Sequence, residues 1–87
     1  MSRTRPATPR YSSRPKEPAN LRFGQLLHYH RVGQGITVRQ FAYLSAFPPT
    51  RVARLERGEI EVTARTVFRV ADILGVEAAD LLPPSPR

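Results

Sequence analysis

The pattern of this 87-residue chain predicts an all-α domain of five short helices. Three observations carry that expectation. Between positions 21 and 82 apolar residues recur three and four apart, the spacing of a buried helix stripe. Asn, Thr, Gly and Pro punctuate those stripes where helices start and stop. No stretch alternates apolar and polar residues convincingly enough for a strand, and no repeat is visible.

Residues 1–20, MSRTRPATPRYSSRPKEPAN, hold four prolines and almost no apolar side chains. They bury too little surface to offset the entropy of ordering, so a disordered basic arm is expected. It is either a solvated tail or a phosphate-touching arm. Leu21–Arg31 then places Phe23, Leu27 and Arg31 on one stripe, with Asn20 as an N-cap and Gly33 and Gly35 as the stop. Thr37 caps a second helix whose inward face is Val38, Phe41, Ala42 and Ser45. Ala46-Phe47-Pro48 makes a turn, and Pro49 opens a third helix where its missing N–H costs nothing. That helix buries Val52 and Leu55 and stops at Gly58. After a longer link Thr63 caps a fourth, with Val67, Phe68, Val70, Ala71 and Leu74 as its apolar set and Gly75 at its end. Glu77–Leu82 is a last short helix, and Pro83 to Arg87 form a Pro-rich tail. The division is therefore an arm at 1–20, a domain at 21–82 and a tail at 83–87.

Composition narrows the function. A chain of this size supports one small domain with little core to spare. With no cysteine it has neither disulfides nor thiolate-bound zinc. His28 and His30 stand about 200° apart on a helix, which disfavours a metal pair, so no metal and no cofactor are expected. No apolar run nears the roughly 18–20 residues of a membrane span, and the N-terminus lacks the apolar stretch of a signal peptide. The expectation is a cytoplasmic, nucleoid-associated protein without membrane contact. No nucleophile–base set is visible, so an enzyme is not expected.

Charge is more telling. Lys and Arg number 14 against 7 Asp and Glu, a net +7, and 13 of the 14 cations are Arg. Arg suits phosphates and guanine edges better than Lys, although the bias equally fits a GC-rich genome. Residues 1–20 carry a net +4 and residues 21–54 a net +5 with no acid, whereas residues 55–82 carry a net −3. One side of the folded chain should attract a polyanion.

Residues 35–58, GITVRQFAYLSAFPPTRVARLERG, then read as two amphipathic helices about a tight turn, the second with arginines on its outer face. This is the layout of a helix-turn-helix, whose second helix enters the DNA major groove.

Longer stretches carry a family resemblance. Phe23-Gly24-x-x-Leu27-x-x-x-Arg31, Gly35-Ile36-Thr37, Phe41-Ala42, Val52, Leu55-Glu56-Arg57-Gly58 and Val70-Ala71-x-x-Leu74-Gly75-Val76-x-x-x-x-Leu81-Leu82 follow in order without a gap. Over about 60 of the 87 residues the chain resembles the lambda-repressor/Cro-like (XRE-type) helix-turn-helix family. The resemblance implies a compact five-helix DNA-binding domain. It also implies an internal ion pair between Arg31 and Glu56.

It implies base contacts from Pro49, Thr50, Arg51 and Arg54, and phosphate contacts from Thr37, Arg39 and Arg57. Thr50 and Arg54 are four apart and point away from Val52 and Leu55. A bidentate Arg54–guanine pair is worth roughly 1–3 kcal/mol of discrimination. Thr50 suits a thymine methyl or a phosphate.

Four departures bear on DNA binding. Val38 stands where the family often has a phosphate-binding glutamine, and Ala46 where the turn usually has glycine. Pro48-Pro49 removes two N–H groups from the start of the third helix, and Glu59-Ile60-Glu61-Val62 is acidic where relatives are often polar or basic.

The leading function is a sequence-specific transcriptional regulator that binds double-stranded DNA as a homodimer on an inverted repeat. Val76, Leu81 and Leu82 supply either the dimer contact or plain core. Two alternatives need a protein partner: a DNA-binding antitoxin of a toxin–antitoxin pair, or an interaction module that no longer binds DNA.

Overall fold

The computed structural model describes residues 18–82. In chain order they form α1 (Pro18–Gly33), α2 (Val38–Ser45), α3 (Pro49–Glu56), α4 (Ala64–Leu74) and a 3-10 turn (Ala78–Leu81). Residues 1–17 and the tail at 83–87 lie outside the described residues, and with them nearly all of the expected basic arm.

Two of the helix starts follow from capping chemistry. The Thr37 hydroxyl accepts from the Gln40 N–H at 3.0 Å while Gln40 Oε1 accepts from the Thr37 N–H at 2.8 Å, a reciprocal cap. Thr63 accepts from the Thr66 N–H at 3.3 Å at the start of α4. Pro49 occupies the first turn of α3 behind an extended Pro48 that supplies no side-chain cap. At the end of α2, Ala46 adopts φ 62° and ψ 25°, left-handed despite its Cβ. The conformation costs on the order of 1 kcal/mol relative to glycine.

The helices close over a core to which each contributes. Phe23 and Leu27 of α1 meet Phe41 and Ala42 of α2, Val52 and Leu55 of α3, and Val67, Val70, Ala71 and Leu74 of α4. Burying a large apolar side chain is worth about 1.5–3 kcal/mol. The crossing of α1 over the end of α3 is close enough that a Cβ on Gly24 would fall 2.5 Å from the Leu55 and Glu56 carbonyl oxygens.

Three elements differ from the sequence expectation. Among the described residues there are four α-helices rather than five, because Glu77–Leu82 closes only a 3-10 turn over Ala78–Leu81. Glu77 and Asp80 cap one another across that turn. Leu82 is then extended at φ −114° and ψ 148°, the conformation that a following proline imposes. Asn20 is not an N-cap. It lies inside α1, fully buried, and its Oδ1 accepts from the Val62 N–H at 3.2 Å, pinning the α3–α4 link to α1. Phe68 is 64% exposed, since the inner face of α4 runs through 67, 70, 71 and 74 and position 68 falls about 100° off it.

Candidate nucleic-acid interface

Helix α3 is anchored from below and open above. Val52 and Leu55 are fully buried, and at about 100° per residue Thr50, Arg54 and Arg57 share a stripe on the opposite side. All three are exposed, as are Pro49 and Arg51 at the two edges of the helix. The short α2–α3 turn sets the angle at which this stripe is presented. Within it the buried Ser45 hydroxyl donates to the Phe41 carbonyl at 2.8 Å and accepts from the Phe47 N–H at 3.3 Å.

Beyond the turn, Arg69 of α4 donates from Nε to the Ser45 carbonyl at 3.0 Å. Its guanidinium carbon lies 5.8 Å from the Phe47 ring centroid, while that of Arg51 stacks on the same ring at 4.5 Å. Phe47 thus joins α3 to α4 through two cation–π contacts. Arg51 rests against the turn, and Arg54 in the last turn of α3 and Arg57 at its C-cap are the arginines on the exposed stripe. Nothing in the spacing of Phe47 or Arg69 marked them for this role.

The flanking positions Thr37 and Arg39 are exposed at the start of α2. Thr37 spends its acceptor on the cap, but its hydroxyl proton remains free to donate to a phosphate oxygen. Arg39 borders a shallow depression lined by Gly35, Ile36, Gln40, Tyr43 and Leu44. Val38 is half-buried against the core and brings no polar atom to this edge.

Below the stripe lies the ion pair that the family resemblance implied, here part of a larger cluster. Arg31 donates from Nε to Glu56 Oε2 at 2.5 Å and from one terminal nitrogen to Glu56 Oε1 at 3.1 Å. Its other terminal nitrogen reaches the Ile36 carbonyl at 2.7 Å. His28 adds Nδ1 at 2.9 Å from Glu56 Oε1, a contact that sequence reasoning did not anticipate. Burial pushes the Glu56 carboxyl up, but the hydrogen bonds and charges of Arg31 and His28 outweigh it and hold the group below its ordinary value. The Glu56 hydrogen bond raises the Arg31 pKa against burial, so the pair stays ionised. The cluster ties α1, α3 and the α1–α2 loop together and leaves no atom of Arg31 for DNA.

The acidic link after α3 is drawn onto the stripe itself. Glu59 receives Arg57 through two bonds, from Nε at 2.7 Å and from a terminal nitrogen at 3.1 Å, and lies 3.9 Å from Arg54 Nε. Those bonds raise the Arg57 pKa.

Among the described residues no group of three or more His, Cys, Asp or Glu side chains is placed to hold a metal ion. No helix there is long and apolar enough to cross a membrane. Of the residues expected to give either a dimer contact or plain core, Leu81 is fully buried, and Val76 and Leu82 are half-buried against the same cluster.

An exposed second helix of this kind, on a tight turn and with arginines along its crest, is what places the chain. It belongs to the helix-turn-helix domain family, whose pattern residues 22–83 match. The relatives among solved structures agree with the lambda-repressor/Cro-like (XRE-type) character of the sequence. The clp gene regulator ClgR from C. glutamicum is 33% identical, with a TM-score of 0.70 over 75% of this chain and 86% of that one. The DNA-binding domain of BldD is 28% identical, with a TM-score of 0.70 over 83% of this chain and 99% of that one. HppE is 33% identical with a TM-score of 0.71, but the likeness spans only 37% of the HppE chain. No curated protein sequence matches the chain.

Proposed function

We propose that this protein is a sequence-specific DNA-binding transcriptional regulator that lays α3 in the major groove and acts as a dimer on an inverted repeat. The observation that carries this reading is the exposed stripe of Thr50, Arg54 and Arg57, backed by the fully buried Val52 and Leu55. Arg54 is the base reader, by two bonds to a guanine edge. Thr50 meets a neighbouring base or phosphate, Pro49 packs on a base edge, and Arg51 reaches in from the turn side. Thr37, Arg39 and Arg57 hold phosphates on either flank. The likeness to ClgR, a gene regulator, and to the DNA-binding domain of BldD supports the same class.

One α3 spans about four or five base pairs, too few to define a site, so two copies are needed. Contact between copies would use apolar side chains left open, either the half-buried Val76 and Leu82 beside Leu81 or exposed residues such as Tyr29, Val32, Tyr43, Leu44 or Phe68.

Fluorescence anisotropy against mixed duplex DNA over a salt series tests the reading. Affinity should fall steeply with salt, by a log–log slope of about 0.9 per phosphate neutralised. Fragments selected from random duplexes should carry two half-sites, and Arg54→Ala should lose about 1–3 kcal/mol of discrimination at one position of each. A wild-type protein that ignores duplex DNA at low salt sinks the proposal.

A further inference from the structure

The exposed stripe carries its own anion. Gly58, at φ 72°, turns the chain back at the end of α3, and the Glu59 N–H then bonds the Arg54 carbonyl at 2.9 Å. A Cβ on Gly58 would meet the Leu21 side chain at 2.7 Å and its Cα at 2.9 Å, so both the positive φ and the packing call for glycine here. The Glu59 carboxylate is thereby returned over the crest of α3. Its side chain is 29% exposed, half as open as those of Arg54 and Arg57 at 55% and 58%.

We infer that Glu59 is a specificity-determining residue that competes with DNA phosphate for Arg57 while steadying Arg54 for a base. The inference rests on the DNA-binding reading above and deepens it. Glu59 occupies Nε and one terminal nitrogen of Arg57, one of the edges by which a guanidinium grips a phosphate in two-point fashion. A phosphate must displace an equivalent carboxylate to bind there, so the exchange gains little. Arg57 is in this way discounted on every sequence alike. Arg54 meets the same carboxylate only at Nε, at 3.9 Å, which leaves both terminal nitrogens for the O6 and N7 atoms of a guanine. Non-specific affinity is lowered more than specific affinity, and the ratio between them rises.

The test compares wild type with Glu59→Gln, Arg57→Ala and the double variant. Each is first shown to melt cooperatively, then titrated by anisotropy with a random-sequence duplex and with a selected fragment. Glu59→Gln is near-isosteric and should bind the random duplex about fivefold more tightly at low salt, with a log–log slope steeper by about 1. The selected fragment should gain less, and in the Arg57→Ala background the gain should shrink below about twofold. If wild type binds DNA but Glu59→Gln gains nothing, or gains as much without Arg57, the inference is overturned and the DNA-binding reading stands. If none of the four proteins binds duplex, both readings fall.

Discussion

Arg31–Glu56 and Arg57–Glu59 are built from the same parts, a guanidinium fork on a carboxylate, and their glutamates stand three residues apart at the end of α3. Each has two bonds, at 2.5 and 3.1 Å in the first and 2.7 and 3.1 Å in the second. They differ in surroundings. The side chains of the first pair are 9% and 10% exposed and those of the second 58% and 29%. The first also spans 25 residues and joins two helices, whereas the second spans two and joins nothing that the backbone has not already joined. Geometry alone therefore says little about what an ion pair does. In the buried pair, losing one partner strands a poorly solvated charge; in the exposed pair, water, salt and phosphate stand ready as substitutes.

The largest expected effect follows from the buried member. Arg31→Ala leaves Glu56 with His28 alone and removes the bond to the Ile36 carbonyl. The loss should be about 3 kcal/mol or more, which for a domain of this size lowers the melting temperature by of order 15 °C. Thermal unfolding by circular dichroism checks it. An unchanged melting temperature would mean that burial does not separate the two pairs.

Acid probes the same pair without a mutation. Glu56 has a folded-state pKa below its unfolded value, so its contribution is fully present above about pH 4.3 and disappears as pH falls through the folded value. His28 and Arg31 are the charged or titratable groups that face the carboxylate. The stability gap between wild type and Glu56→Gln should be present at pH 5 and narrow below about pH 4. A gap that stays constant to pH 2.5 would show that the Glu56 charge contributes nothing.

How much of this was legible beforehand depends on what sort of signal each residue sends. Thr37, Thr63, Gly58 and Gly75 mark helix ends through local chemistry, and a local pattern suffices to read them. Val52 and Leu55 announce the buried side of α3 by spacing alone. Asn20 looks like a cap by the same local logic, yet its partner is the Val62 N–H, 42 residues away. Phe68 was grouped with the core because it is apolar, and only the phase of α4 shows it pointing out. The fifth helix failed for want of length: one turn followed by two prolines gives too few hydrogen bonds to sustain an α-helix.

The interface was legible as a set of exposed cations and not as an arrangement of them. The acidic link reads in the sequence only as a departure that bears on DNA binding, which names no partner for its carboxylates. In the structure Glu59 lies on the arginines, because Gly58 reverses the chain there. In the same way Phe47 reads as a turn residue, although it gathers Arg51 and Arg69 on its ring. Such contacts depend on where the chain goes after a turn, which residue types and spacings do not encode.

The smallest expected effect is the sharpest test of the comparison. Arg57→Ala removes both bonds of the exposed pair, yet Glu59 keeps its backbone bond to the Arg54 carbonyl and the nearby Arg54 side chain. Exposed pairs are worth about 0–1 kcal/mol, so the melting temperature of Arg57→Ala should stay within a few degrees of wild type. Its salt sensitivity should be equally small, since unfolding no longer separates charges that water already screened. A fall approaching that of Arg31→Ala would mean that the link after α3 is held by its side chains. Gly58 and the backbone would then no longer explain where Glu59 sits, and Glu59 would be a structural acid rather than a competitor for DNA.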